Sequence, residues 1–269
     1  MTHPVAAADR STLMNPESLK SIDDRRPVAL AIVGKRLTIS ILCLVAALGG
    51  MLVSHPPAAS AAPGCADVDV VFARGTAEPM PPVGVTGNSF VAALRSQLPG
   101  KSVTAYGVNY PAGDNFNDRL RLAEGVTEGV TDAQNHMKAV AAACPTTRIV
   151  LGGYSQGAVV AGYATSGKIT IPDQYRRYES RVPPPLPADV ANHVAAVVLF
   201  AQPSDRWIRE AGAPAVRVGA AYAPRTVRYC IPGDTICDGA PLGEPNALHV
   251  LYAVNGMTLD AARFVVGRL

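Results

Sequence analysis

The fold is decided by the stretch Arg148-Ile-Val-Leu-Gly-Gly-Tyr-Ser-Gln-Gly-Ala-Val-Val-Ala-Gly162, in which a short apolar run meets a helical run at Ser155. Gly153 and Gly157 stand two residues before and after this serine, and glycine permits a strained turn that lifts a hydroxyl above a sheet. The following helix directs free N–H groups and the positive end of its dipole to the same space. A glycine-rich turn with an ordinary serine is the alternative, but a strand before and a helix after favour a nucleophile at Ser155.

The composition is that of a globular protein without an extreme charge. The chain has 269 residues, of which 48% are hydrophobic, and a formal net charge of +3. This length allows one large domain or two small ones with a sizeable core. The basic residues are not gathered into a patch with interleaved aromatic residues, so we expect no nucleic-acid partner.

Residues 1–61 do not look like part of the folded domain. Residues 1–36 are polar and end in a basic group, residues 37–53 are apolar, and residues 55–62 are mostly small. This order predicts a secretory signal peptide that is cleaved after Ala61. The apolar run also lies at the short limit for a membrane-spanning helix, so a retained membrane anchor is the alternative. In both cases we expect residues 62–269 to be exported as one domain.

The cysteines support export. Cys43 lies in the apolar run, which leaves Cys65, Cys144, Cys230 and Cys237 in residues 62–269. Four cysteines allow three pairings. The short loop between Cys230 and Cys237 favours local closure, which leaves Cys65 to join Cys144. A metal site and free buried thiols are the competing interpretations.

Apolar runs alternate with helical patterns along the exported part. We predict strands at 67–73, 102–108, 148–152, 195–200 and 226–230, and helices at 89–98, 120–143, 158–164 and 252–266. This alternation predicts an α/β fold with a mostly parallel sheet covered on both faces. The Pro-rich segment 171–187 is interpreted as a surface excursion that either flanks the active-site mouth or is a plain solvated loop.

A serine nucleophile needs a general base, and residues 62–269 hold three histidines. His136 precedes Ser155, which breaks the order serine, acid, histidine expected of such a turn. His193 begins a predicted strand, whereas sites collect at the carboxyl ends of parallel strands. His249 lies in the segment before the last predicted helix, from which a side chain can reach the serine. We therefore predict His249 as the base.

The base needs an orienting acid, and several carboxylates follow the serine. Asp234 stands out because it follows a predicted strand at its carboxyl end and falls within the loop between Cys230 and Cys237. A clamped loop would hold the carboxylate still and keep the imidazole in one tautomer. Asp238, just outside the clamp, is the main rival. The remaining candidates are Asp173, Asp189, Asp205 and Asp260.

An oxyanion hole needs donors from two places. The first is the backbone N–H of Gln156, directly after the predicted nucleophile. The second should come from a loop that follows an early strand, and the segment Phe72 to Glu78 leaves the first predicted strand with a glycine turn. Thr76 in this turn offers both an N–H and a hydroxyl, so we predict it as the second donor.

Four segments of the chain occur in the order and setting in which the cutinases carry them. They are Phe72-Ala-Arg-Gly-Thr-Ala-Glu78, Gly153-Tyr-Ser-Gln-Gly157, Cys230-Ile-Pro-Gly-Asp-Thr-Ile-Cys237 and Leu248-His249. With these motifs and four matching cysteines, residues 65–269 resemble a cutinase-like esterase of the type secreted by actinobacteria.

The resemblance implies an α/β-hydrolase-type fold, with a mostly parallel central sheet and helices on both faces. It implies Ser155 as nucleophile, His249 as base and Asp234 as orienting acid. It also implies an oxyanion hole formed by Thr76 and Gln156.

The resemblance further implies the disulfide bonds Cys65–Cys144 and Cys230–Cys237, and a reaction that needs neither a metal nor a cofactor. Three features depart from fungal cutinases. Thr76 stands where they have serine, the segment 167–185 looks longer than theirs, and the polar leader is foreign to them. These departures affect the expected substrate more than the expected ester hydrolysis.

We therefore expect a secreted serine esterase that hydrolyses fatty-acyl esters through an acyl-enzyme. The expected partners are an acyl-ester or lipid substrate and the membrane or cell envelope, and the expected state is a monomer. One rival function is acyl transfer to an alcohol or sugar. The other is a non-catalytic envelope-binding protein on the same fold. The complete set of serine, aspartate and histidine argues against this second rival.

Overall fold

The computed structural model describes residues 64–269. The predicted signal peptide or anchor, its cleavage after Ala61 and Cys43 therefore lie outside the described residues. Within residues 64–269, no helix combines the length and the apolar character needed to cross a membrane.

A five-stranded sheet forms the centre of the described chain, and all its neighbouring strands are parallel. The strands are β1 (Val68–Ala73), β2 (Val103–Gly107), β3 (Arg148–Tyr154), β4 (Val194–Phe200) and β5 (Thr226–Tyr229), in the order β2-β1-β3-β4-β5. The middle strands read as continuous apolar runs because helices cover both faces. The expected parallel α/β fold is confirmed.

Six α-helices and three 3₁₀ helices accompany the sheet in the described residues. The α-helices are α1 (Gly84–Gln97), α2 (Arg119–Ala143), α3 (Gln156–Ala164), α4 (Ala188–His193), α5 (Asp205–Glu210) and α6 (Met257–Val266), and the 3₁₀ helices are Asp173–Arg181, Ala223–Arg225 and Ala247–Val250. Helices α1 and α6 pack on one face of the sheet, and α2, α3 and α4 pack on the other. Alternate residues of each strand therefore enter two separate cores.

Two predicted helices have wrong bounds, and two short helices were not predicted. The last helix begins at Met257 rather than at residue 252, because Gly256 has a left-handed φ of 91° that stops a helix from continuing through it. Helix α1 begins at Gly84, five residues before the predicted start. The short helices α4 and α5 were not predicted, since each spans only six residues.

The turn between β3 and α3 brings backbone against backbone. Ser155 has a φ of 53°, a left-handed conformation that is rare for a residue with a side chain. A Cβ atom at Gly153 would lie 2.1 Å from the carbonyl oxygen of Gly157. A Cβ atom at Gly157 would lie 1.9 Å from the carbonyl oxygen of Ala73, at the end of β1. The two glycines are therefore required by close packing as well as by the turn.

Two disulfide bonds are present, and both predicted pairings are confirmed. Cys65–Cys144 spans 79 residues and joins the chain before β1 to the end of α2. Cys230–Cys237 spans seven residues and closes the loop after β5. The first bond fastens the edge of the sheet where the strands begin, and the second fastens the opposite edge.

Replacement of Gly157 by alanine should lower the free energy of unfolding by about 3 kcal/mol, because backbone atoms would have to move to admit the methyl group. The matched control is Gly167→Ala, since a Cβ atom at Gly167 meets nothing within 4 Å. The control should change the free energy by less than about 1 kcal/mol. Urea denaturation of both variants measures the difference, and equal stabilities would contradict the packing argument.

The two disulfides should differ in their contribution to stability, because a longer closed loop restricts the unfolded chain more. Removal of Cys65–Cys144 by a double alanine substitution should cost about 4 kcal/mol, and removal of Cys230–Cys237 about 2 kcal/mol. Denaturant unfolding of the two double variants tests this order. A larger loss for the seven-residue loop would be inconsistent with it.

Candidate active site

Three side chains from distant parts of the sequence meet at the edge of the sheet where the strands end. Ser155 follows β3, Asp234 lies in the loop that follows β5, and His249 lies in the 3₁₀ helix Ala247–Val250. The carboxyl ends of parallel strands share one edge of the sheet, which is where such folds gather their ligand-binding residues.

Ser155 and His249 are in direct contact. The Oγ atom of Ser155 lies 2.9 Å from Nε2 of His249, within hydrogen-bond distance. The serine is held from behind, since its backbone N–H donates to the carbonyl oxygen of Phe200 at the end of β4 at 2.9 Å. The hydroxyl is thus fixed above the sheet by the same turn that the glycines permit.

The other ring nitrogen of His249 faces Asp234. Nδ1 lies 2.9 Å from Oδ2 and 3.0 Å from Oδ1 of the carboxylate. An ionised carboxylate only accepts hydrogen bonds, so Nδ1 carries the proton and donates. Nε2 of a neutral ring is then free to accept the hydroxyl proton of Ser155.

Asp234 is buried and stays ionised because other groups donate to it. Its exposed fraction is 0%. The backbone N–H of Ile236 donates to Oδ1 at 3.0 Å, and the phenol of Tyr252 donates to Oδ2 at 2.7 Å. Burial alone would raise the pKa of this carboxyl, but the hydrogen bonds from His249 and Tyr252 outweigh burial and hold the pKa below its usual value.

Two further contacts hold His249 in place. The side chain of Asn246 accepts from the N–H of Leu248 at 3.2 Å and caps the short 3₁₀ helix. The phenol of Tyr154, one residue before the serine, donates to the carbonyl oxygen of His249 at 2.5 Å. The backbone of the histidine is therefore tied to the end of β3.

The other sequence candidates do not reach the serine. His136 contacts the carboxylate of Asp69 at 2.8 Å, and its ring stacks on Tyr106. His193 ends α4 directly before β4 begins, at the opposite edge of the sheet. Asp238 accepts a hydrogen bond from the N–H of Gly233 at 2.6 Å and stabilises the turn at that glycine. Among residues 64–269, no group of three or more His, Cys, Asp or Glu side chains is placed to hold a metal ion.

The segment that holds Thr76 lies beside the first turn of α3. A Cβ atom at Gly157 would meet the carbonyl oxygens of both Ala73 and Arg74, so this segment crosses directly over the helix start. Within the described residues, the backbone N–H groups of Thr76 and Gln156 have no hydrogen-bond partner. Both predicted donors are thus free.

Glu78 was missed by sequence reasoning, although it lies in the same motif as Thr76. Its carboxylate accepts from the N–H of Gly75 at 2.7 Å and from the N–H of Thr86 at 2.8 Å. The first bond folds the segment back on itself, and the second ties it to the start of α1. The only signal in the sequence was an acidic side chain two residues after the threonine.

Comparisons with known proteins agree with this geometry. The family model described as Cutinase matches residues 64–269. The probable carboxylesterase Culp7 of Mycobacterium tuberculosis is 44% identical over 176 residues, which cover 65% of this chain and 89% of that protein. The phospholipase Culp4 of the same organism is 39% identical over 235 residues, which cover 87% of this chain and 92% of that protein.

A solved structure is also similar. The Trichoderma reesei cutinase in complex with a C11Y4 phosphonate inhibitor superposes with a TM-score of 0.55, at 32% sequence identity over 76% of this chain and 76% of that chain. The family match covers more than half of the sequence, and the relatives share more than 30% identity over most of their length. The chain therefore belongs to the cutinase family.

Proposed function

We propose that this protein is a secreted serine esterase that hydrolyses fatty-acyl esters through Ser155, His249 and Asp234. Family membership makes the chain a carboxylic ester hydrolase. The observation that carries the proposed mechanism is the continuous chain of contacts from Oγ of the serine through both ring nitrogens of the histidine to the buried carboxylate.

In the first half of the proposed reaction, Nε2 of His249 takes the hydroxyl proton of Ser155 while Oγ attacks the ester carbonyl. Asp234 holds the ring in place and stabilises the imidazolium that forms. The carbonyl oxygen becomes negative next to the free N–H groups of Thr76 and Gln156 and to the positive end of the α3 dipole. The alcohol then leaves with the proton from Nε2.

In the second half, a water molecule takes the place of the alcohol. His249 removes a proton from this water, which attacks the acyl-serine carbonyl. A second negatively charged intermediate forms against the same donors and collapses to the carboxylic acid. The proton returns from Nε2 to Oγ of Ser155, so the enzyme ends in its starting state.

An apolar substrate is supported by the residues that follow the histidine. Val250 is 70% exposed and Val254 is 78% exposed, and Leu251 between them is also exposed. Large exposed apolar side chains in one segment mark a site for apolar partners. One relative is named a phospholipase, which fits an acyl-lipid substrate.

Export is supported by the two disulfide bonds. Disulfides persist in oxidising compartments and are rare in the cytosol. With the predicted signal peptide or anchor in residues 1–61, they favour a location outside the cytoplasm, in the cell envelope or beyond it.

The proposed nucleophile is tested by Ser155→Ala on a chain-length series of p-nitrophenyl esters. The variant should lose activity by about 10⁶-fold, because the acyl-enzyme has no oxygen on which to form. The wild type should show a maximum on acyl chains longer than acetyl. A Ser155→Ala variant that keeps the wild-type rate, measured with no contaminating esterase, would contradict the proposal.

The assignment of the acid is tested by Asp234→Asn against Asp238→Asn. An amide at 234 would donate toward Nδ1 or leave it without an ionised acceptor, so kcat should fall by about 10⁴-fold. The amide oxygen at 238 still accepts from the Gly233 N–H, so the control should remain within about threefold of the wild type. Steady-state kinetics of both variants decide between them, and the reverse order would make Asp238 the acid.

A further inference from the structure

Tyr252 occupies a buried position between the histidine segment and the acid loop. It is the third residue after His249 and its exposed fraction is 0%. Its ring packs against Tyr154 at 5.8 Å and against Phe200 at 6.5 Å between ring centroids. The phenol oxygen is therefore held at one place by aromatic packing on two sides.

The phenol donates to Asp234, because the carboxylate is a stronger acceptor and lies closer than the disulfide sulfur of Cys237, which is 3.2 Å from the phenol oxygen. The backbone N–H of Ile231 donates to the phenol oxygen at 2.9 Å. The single phenol proton is then donated to Oδ2 of Asp234 at 2.7 Å, because an ionised carboxylate cannot donate. Burial and this neighbouring carboxylate raise the pKa of Tyr252, so the phenol keeps its proton.

The hydrogen bond from Tyr252 restricts rotation of the Asp234 carboxylate, which the other donors do not prevent. The Ile236 N–H binds Oδ1 on one side of the carboxylate, and His249 lies within reach of both oxygens. Only the Tyr252 phenol, among the side-chain donors other than the histidine, binds Oδ2. Without it, the carboxylate is free to turn about its Cβ–Cγ bond and to present a poorer acceptor to Nδ1.

We propose that Tyr252 is a positioning residue that fixes the Asp234 carboxylate in the orientation from which it holds His249. This inference rests on the proposed function, since it assigns the phenol a part in the same reaction. Among the described residues, the Tyr252 phenol makes no hydrogen bond to Ser155, and it acts through the acid. It therefore belongs to the positioning of the base rather than to the bond-making step.

The titratable groups that face the carboxylate are few, which makes its ionisation easy to follow. They are His249 and Tyr252 in direct contact and Tyr154 across the imidazole ring, with Glu78 beyond Tyr154. The disulfide-bonded Cys237 lies alongside and does not titrate. Removal of one donor should therefore make the carboxylate easier to protonate.

The test is Tyr252→Phe, with Tyr163→Phe as the matched control. Tyr163 is also buried and donates its phenol proton to the carbonyl oxygen of Pro214, away from the site. For Tyr252→Phe, kcat should fall roughly tenfold with KM nearly unchanged, because one charge-assisted hydrogen bond is lost. The acid side of the kcat/KM profile should move to higher pH by on the order of one unit.

A second variant distinguishes the loss of one hydrogen bond from a loss of folding. Replacement of Tyr252 by 3-fluorotyrosine keeps the shape and makes the phenol a stronger donor, so the acid side of the profile should move to lower pH. The proton NMR signal of the His249 Nδ1–H provides a readout that is independent of turnover. It should shift in both Tyr252 variants and stay in place in Tyr163→Phe.

The inference is overturned if Tyr252→Phe keeps the wild-type kcat, pH profile and Nδ1–H signal, or if Tyr163→Phe changes them to the same extent. Failure of the proposed function looks different, because the wild type would then hydrolyse none of the esters. In that case the NMR comparison of the two variants still decides the role of Tyr252.

Discussion

The contact on which the molecule depends is the approach of the α3 backbone to the end of β1. Gly157 lies so close to the carbonyl oxygen of Ala73 that no Cβ atom fits between them. This contact sets the height of the helix above the sheet, directs its first N–H groups over the strand ends, and brings the Thr76 segment beside them. The buried, apolar sequence of α3 follows, because a helix this close to the sheet leaves no room for solvent.

Around this turn, polar groups are fixed by a few strong contacts rather than by many weak ones. A carboxylate with no exposed surface would be costly if its oxygens were unpaired. Here three donors from separate parts of the chain converge on Asp234, so ionisation and burial coexist. The disulfide Cys230–Cys237 closes the loop that carries both Asp234 and Ile236, which limits the freedom of the acid before any substrate arrives.

The sequence was sufficient for elements with strong local signals. Five apolar runs predicted the parallel sheet, and the glycine spacing around Ser155 predicted the turn, because sterics leave few alternatives there. The histidine was chosen by elimination, and its contact with the serine depends on a fold that no local pattern specifies. The catalytic roles of these residues stay predictions, although the predicted side chains lie together.

The misses also have physical reasons. The start of the last helix was placed too early because Tyr252 continues an apolar pattern, while Gly256 stops the helix through a backbone angle that periodicity does not reveal. Glu78 was passed over because its partners are the backbone N–H groups of Gly75 and Thr86, which every residue type except proline offers. Tyr252 was passed over because its partner Asp234 lies in another loop, and such a pairing is decided by tertiary packing rather than by spacing.

The disulfide bond Cys65–Cys144 lies at the edge of the sheet opposite the site, and the lysines lie on the same side as this bond. Residues 64–269 contain three, Lys101 before β2, Lys138 in the last third of α2 and Lys168 beyond the end of α3, all on the side where the strands begin. Chemistry that couples amines of this domain to a solid support would therefore attach it by that side. The immobilised molecules would present their serine edge outward, toward the surrounding solution.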